Sequence, residues 1–163
     1  MKLLRYGARG AEKPAMIDVN GTIRDLSGHI DDLVGDTLSD HSFAKLRNID
    51  PTSLPEVEAS TRIAACVGNV GKFVCVGLNY ADHAAESGMD LPDEPVIFFK
   101  ATSSIMGAND DVEIPRNSVK TDWEVELGVV IGKEAKYITK ADALGHVAGY
   151  CVINDVSERA YQI

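Results

Sequence analysis

TDWEVELGVVIG, residues 121–132, is the stretch on which the fold of this chain turns. Side chains alternate across a strand with period two. One face therefore carries Trp123, Val125, Leu127, Val129 and Ile131, all apolar, and the other carries Asp122, Glu124, Glu126, Gly128 and Val130. Such alternation predicts a single strand over 121–132, anchored through its apolar face. The opposite face opens with three carboxylates in succession. Like charges crowded in this way require either screening by water or a cation between them.

The surrounding chain is of ordinary globular composition. It has 163 residues, 45% hydrophobic and 25% charged, enough for one domain or for a small domain with part of a larger one. No apolar run approaches the length of a membrane span. The start, MKLLRYGARG, has basic residues but no sustained apolar stretch, so no signal peptide is read and a cytoplasmic location is expected. The net charge of −9 argues against nucleic acid as a partner. An anionic small substrate would need a local cation to offset that field. Cys66, Cys75 and Cys151 form no CxxC pair and read as buried, reduced thiols. No cation lies beside them in sequence, which argues against a nucleophilic cysteine.

Working outward, residues 3–6 read as a strand, and Asn20-Gly21 between short apolar runs signals a hairpin. Residues 30–49 turn helical, with Asp40 or Ser42 as cap and Phe43, Leu46 and Ile49 on one face. The stretch 50–61, with two prolines and several turn formers, reads as a linker, with a boundary near 60–70. Strands follow at 73–77 and 95–101, with a helix from Asn79 to about Ser87 between them, closed by Gly88. A helical turn is expected at 140–144 and a buried strand at 147–153. NDVSERAYQI then starts a helix, with Asn154, Asp155 or Ser157 as cap, and the chain stops about two turns in, as though cut within an element.

Three polar clusters stand out against this frame. His83 and Glu86 are three apart on a helix and share a face. A carboxylate beside an imidazole prepares a general base, although a surface pair is equally compatible with the spacing. Glu124 and Glu126, two apart on a strand, form either a chelate for a hard cation or a solvated charged face. Asp155, directly after a buried strand, is placed either as a ligand or as a helix cap.

Taken in order, GLNYADHAAE, PVIFFKATSSIMG, DWEVELGVVIG and VAGYCVINDVSER closely resemble the fumarylacetoacetate hydrolase superfamily over residues 72–163. The resemblance implies a mixed, β-rich α+β fold: a β-sandwich roll from residue 66 on, incomplete at residue 163, preceded by a small N-terminal α/β domain over 1–65. It implies that Glu124, Glu126 and Asp155 hold Mg²⁺ (Mn²⁺ or Ca²⁺ being alternatives), with Gly128 leaving room beneath the ion. His83 and Glu86 would activate water, and Arg159 and Gln162 would help to hold substrate. Family members continue with a lysine-containing segment that is absent here.

The implied reaction is hydrolysis of a C–C bond in a small anionic 2,4-dioxo acid. Ureidoglycolate lyase chemistry, hydroxymuconate-type isomerisation or decarboxylation, and metal binding without turnover are the alternatives. The resemblance further implies a homodimer or larger homo-oligomer.

Overall fold

The architecture is that of a computed structural model describing residues 1–162. It forms two compact units. One comprises Met1–Gly68 together with the residues from Gly107 on, and the other comprises Asn69–Met106.

The first unit opens with an antiparallel meander of β1 (Lys2–Tyr6), β2 (Lys13–Ile17) and β3 (Ile23–Asp25). The hairpin expected at Asn20-Gly21 forms, with Ile17 opposite Ile23. Gly21 takes φ +86°, a region that glycine enters without a Cβ penalty. Asp18 closes the turn: its carboxylate accepts from the Asn20 and Thr22 N–H groups at 2.8 and 3.0 Å and from Arg24 Nε at 2.9 Å. Burial pushes this carboxyl up, but the donated hydrogen bonds and the Arg24 charge prevail and hold it below the usual carboxylate range.

Helix α1 (Asp40–Arg47) presents buried Phe43 and Leu46 to the meander. Its cap is Ser39, not Asp40 or Ser42, because Ser39 is extended and its Oγ accepts from the Ser42 N–H at 3.3 Å. Met16, Leu26, Phe43, Leu46 and Leu54 make the core, against which Leu3, Leu38, Ile49 and Ala148 pack. The stretch 50–61 is no open linker. Leu54 and Val57 are buried, and the Val57 N–H donates to Ile23 O while the Asp25 N–H donates to Pro55 O, both at 2.9 Å. The edge of β3 needs partners for its backbone groups, and this segment supplies them.

The stretch quoted at the outset lies in the same unit, in two pieces. Strand β6 (Thr121–Asp122) pairs with β9 (Ser157–Glu158), and β7 (Val125–Ile131) pairs with β8 (Val147–Asn154), both antiparallel. The single strand expected over 121–132 is therefore interrupted at Trp123 and Glu124. Among the described residues, no helix follows Asn154. The Glu158 carboxylate instead accepts from the Ser118 and Thr121 hydroxyls and from the Ala160 N–H, and the Arg159 N–H donates to Lys120 O at 3.0 Å. A two-turn helix is intrinsically marginal, and these cross-strand bonds outcompete it. The helical turn expected at 140–144 is present, shifted to Ala143–His146.

The facing of β7 is the reverse of the sequence expectation. Val125, Leu127 and Ile131 are each 60–66% exposed, whereas Glu126 is half-buried and Gly128 is buried. A Cβ on Gly128 would lie 2.6 Å from Ile153 Cδ1 and 2.7 Å from Cys151 Sγ. The space over this glycine is thus filled by β8 side chains and not kept for an ion. Further along, a Cβ on Gly132 would lie 2.7 Å from both Ala148 Cβ and Leu38 O, so this end of the ladder rests against the N-terminal layer.

The second unit matches its sequence pattern closely. Strands β4 (Phe73–Gly77) and β5 (Val96–Lys100) pair antiparallel, with helix α2 (Ala81–Glu86) between them in sequence. Gly88, at φ +66°, ends that helix. No helix among the described residues is long and apolar enough to cross a membrane.

Two substitutions test this packing by chemical denaturation. Leu26, fully buried, should cost about 2–5 kcal/mol on truncation to Ala. Gly128→Ala should cost about 1–3 kcal/mol through overpacking against Ile153 and Cys151.

Candidate functional site

The break between the two ladders places polar groups opposite one another. Where β6 gives way to β7, the Asp155 N–H donates to Glu124 O at 2.8 Å, and the Glu124 N–H donates to Asn154 Oδ1 at 3.3 Å. Glu124 and Asp155 are thereby fixed as neighbours on facing chains, outside regular strand. Glu126, two residues on and within β7, stands opposite Ile153 on the half-buried face.

Arg159 reaches into the same place from the turn after β9. Its Nη2 donates to Asp122 Oδ2 at 2.9 Å and also to Glu124 Oε1. Its Nε donates to Asp122 Oδ2 at 3.1 Å, and its Nη1 donates to Gln162 Oε1 at 3.0 Å. Glu124, and then Asp122, push the guanidinium pKa up. The Ser118 hydroxyl, ahead of that of Thr121, holds the Glu158 carboxyl below its usual range.

The structure thus brings together four of the residues expected from sequence, Glu124, Asp155, Arg159 and Gln162, and keeps Glu126 on the adjoining strand. Among the described residues, no three His, Cys, Asp or Glu side chains stand close enough to hold a metal ion as they are. In chemistry the donor set fits one: Glu124, Glu126 and Asp155 are all-oxygen anionic ligands of the kind that hard divalent cations take. Arg159 shows that positive charge is accommodated at Glu124.

His83 and Glu86 belong to the other unit. Both lie on the exposed side of α2, while Ala84 faces inward. No hydrogen bond joins them among the described residues, and the His83 N–H donates to Asp82 Oδ1 at 3.0 Å. The turn into α2 is strained: Leu78 sits at φ +50°, a region unfavourable to a residue with a branched side chain. Beside it lies a cleft of about 250 Å³ lined by Val76, Leu78, Asn79, Pro92, Asp93 and Glu94.

Two participants were not legible in the sequence. Asn154 read as a helix cap, and its role in holding the Glu124 backbone depends on a partner 30 residues away. Asp122 stands in the sequence only as the first carboxylate of the polar face, and it is the residue that seats Arg159, 37 positions on. Sequence spacing carries no signal for either pairing.

Comparison with known proteins places the chain in a family. The family model described as fumarylacetoacetate (FAA) hydrolase C-terminal matches residues 72–163, more than half of the chain. A protein of Burkholderia ambifaria (strain MC40-6), named "putative hydrolase", is 64% identical over 163 residues, which span all of this chain and 58% of that protein. The fumarylacetoacetate hydrolase of psychrophilic Exiguobacterium antarcticum superposes with a TM-score of 0.73 at 30% identity, over 99% of this chain and 58% of that one. A 5-carboxymethyl-2-hydroxymuconate delta-isomerase of Mycobacterium smegmatis superposes with a TM-score of 0.69 at 28% identity, over 99% and 57%. The chain therefore spans somewhat over half the length of these relatives, and its small β-rich α+β fold is theirs. From the matched segment and the shared fold, the chain belongs to the fumarylacetoacetate hydrolase family.

Proposed function

We propose that the protein is a divalent-metal-dependent hydrolase that cleaves a C–C bond in a small 2,4-dioxo acid. The observation that supports this reading is the interrupted ladder. Within the family segment, the break fixes Glu124 beside Asp155 and sets Arg159 and Gln162 against them.

In this reading Glu124, Glu126 and Asp155 hold Mg²⁺, or Mn²⁺ or Ca²⁺ in its place. The ion supplies Lewis-acid stabilisation of negative charge on the 2-oxo oxygen, and it offsets the acidity of a −9 chain toward an anionic substrate. Arg159 exchanges part of its hydrogen bonding with Asp122 and Glu124 for the substrate carboxylate, a planar match that suits a guanidinium. The Gln162 amide lies beside it and steadies that group. His83 takes a proton from water at an imidazole nitrogen, and Glu86, three positions on in α2, orients the ring. The hydroxyl adds to the distal carbonyl, the C–C bond breaks toward the enolate, and His83 returns its proton to carbon.

Isomerisation of a hydroxymuconate-type diacid is the second reading. It is favoured by the likeness to the M. smegmatis isomerase and by the lack of a His83–Glu86 hydrogen bond among the described residues. Such a reaction needs a proton carrier but no activated water.

Incubation with acylpyruvates, hydroxymuconate-type diacids and ureidoglycolate in the presence of Mg²⁺ separates the readings. Hydrolysis should yield two carboxylic acids from an acylpyruvate, whereas conversion of the diacid alone would establish the isomerase. Glu124→Gln should weaken Mg²⁺ binding by about tenfold or more in calorimetric titration. His83→Ala should retain Mg²⁺ affinity and lose about 10²–10⁴ in kcat. Unchanged turnover in that variant would remove His83 from the chemistry.

A further inference from the structure

The chain passes between its two units twice, out after Gly68 and back at Gly107, and each crossing is fastened to the first unit in the same manner. At the outward crossing Arg5 donates to Asp32 through Nε and Nη2, at 2.7 and 3.0 Å, and Asp32 Oδ1 also accepts from the Leu33 N–H at 2.7 Å. The Gly68 N–H in turn donates to Leu33 O at 3.1 Å. At the return crossing Arg62 donates to Asp110 through Nε and Nη2, both at 2.7 Å, and Asp110 Oδ2 also accepts from the Gly107 N–H at 2.8 Å. Each fork lies against its glycine with no room for a side chain. A Cβ on Gly68 would lie 2.9 Å from both Arg5 Cζ and Asp32 Oδ2, and one on Gly107 would lie 3.0 Å from Asp110 Oδ2 and 3.1 Å from Arg62 Nη2.

Glu12 joins the two fastenings. Its Oε2 lies 3.7 Å from Arg5 Nη2, and its Oε1 lies 3.5 Å from Arg62 Nη1. Charge therefore alternates along Asp32, Arg5, Glu12, Arg62 and Asp110. The Glu12, Arg5 and Asp110 side chains are only 16%, 12% and 8% exposed, so salt screens these pairs weakly. The main chain ties the same two places: Tyr6 bridges Ile63, and the Gly7 N–H donates to Arg62 O at 2.9 Å.

We propose that this run of alternating charge is a single coupled hinge for the segment 69–106, and that Arg62 and Asp110 thereby serve as positioning residues for His83, which that segment carries. Coupling follows from the shared carboxylate. When Asp110 loses its charge, Arg62 turns its attraction to Glu12, and the hold of Glu12 on Arg5 weakens at the opposite crossing. The reverse holds when Asp32 loses its charge. A segment tethered at both ends is free to move as a body only when both ends yield, so joining the fastenings makes that release all-or-none. The coupling rests on contacts within the first unit. Only its consequence for His83 rests on the reaction proposed above.

The test is hydrogen–deuterium exchange of the intact protein, read by mass spectrometry. Asp110→Asn should speed exchange in the peptide over 66–72, at the opposite crossing, by about threefold or more. Asp32→Asn should reciprocally speed exchange over 104–109 by a similar factor. In a Glu12→Gln background both cross-effects should vanish. Arg24→Ala removes a part-buried arginine–carboxylate pair that fastens neither crossing, and it should leave both peptides at wild-type rates. Unchanged rates at the opposite crossing, cross-effects that persist without the Glu12 charge, or an equal rise in every peptide would overturn the proposal. With an acylpyruvate and Mg²⁺, Asp110→Asn should lose about tenfold or more in kcat while Mg²⁺ affinity stays unchanged. A wild-type kcat beside coupled exchange would overturn the positioning role. A wild-type protein without turnover would count against the proposed reaction, and the exchange rates would still decide the hinge.

Discussion

A pair of hydrogen bonds to the Glu124 main chain at the break in the ladder governs the arrangement of the candidate site. Asp155 N–H donates to Glu124 O, and Glu124 N–H is taken by the Asn154 side chain. A regular antiparallel strand would have sent Glu124 and Glu126 to one face at fixed spacing and nothing more. Interrupting it frees Glu124 from strand geometry while tying it to the facing chain. The cost is small, because the backbone groups released by the break find partners again across it. What is gained is a concentration of carboxylates that would repel one another if no cation lay among them.

Positive charge is correspondingly rationed in this acidic chain, and four arginines of the first unit sit where carboxylates converge. Arg24 serves Asp18 in the hairpin, Arg5 serves Asp32, Arg62 serves Asp110, and Arg159 serves Asp122 and Glu124. The first three are part-buried and fix the layering of strands and loops. The fourth lies at the ladder break, where the proposed function has the same pairing chemistry exchanged for a substrate carboxylate. Arginine suits both duties because its planar fork matches a carboxylate and its charge is always present.

The sequence carries local structure plainly where the cause is local. The Asn20-Gly21 turn, the strand at 73–77, the helix after Asn79 and its Gly88 terminus all follow from backbone preferences within a few residues. Local signals are overridden where distant partners compete. Ser39 outranked two plausible caps because of its own extended backbone. The stretch 50–61 looked like a linker until the edge of β3 recruited it. NDVSERAYQI has sound capping residues for a helix, but Thr121 and Ser118 captured Glu158 and drew it into a strand. Period-two alternation located β7 correctly and assigned its inward face wrongly, because Gly128 admits Ile153 and Cys151 on the side that carries the glutamates.

The sequence by itself determined which residue types are available, their order, and their membership of a recognisable family. Those properties reside in the motifs GLNYADHAAE, DWEVELGVVIG and VAGYCVINDVSER and need no coordinates. Tertiary structure alone decided that Glu124 lies beside Asp155 and that Arg159 bridges Glu124 and Asp122. The reason is physical. Propensity and periodicity act over a few residues, whereas charge pairing depends on distance in space, which only the paired strands and the packed core establish.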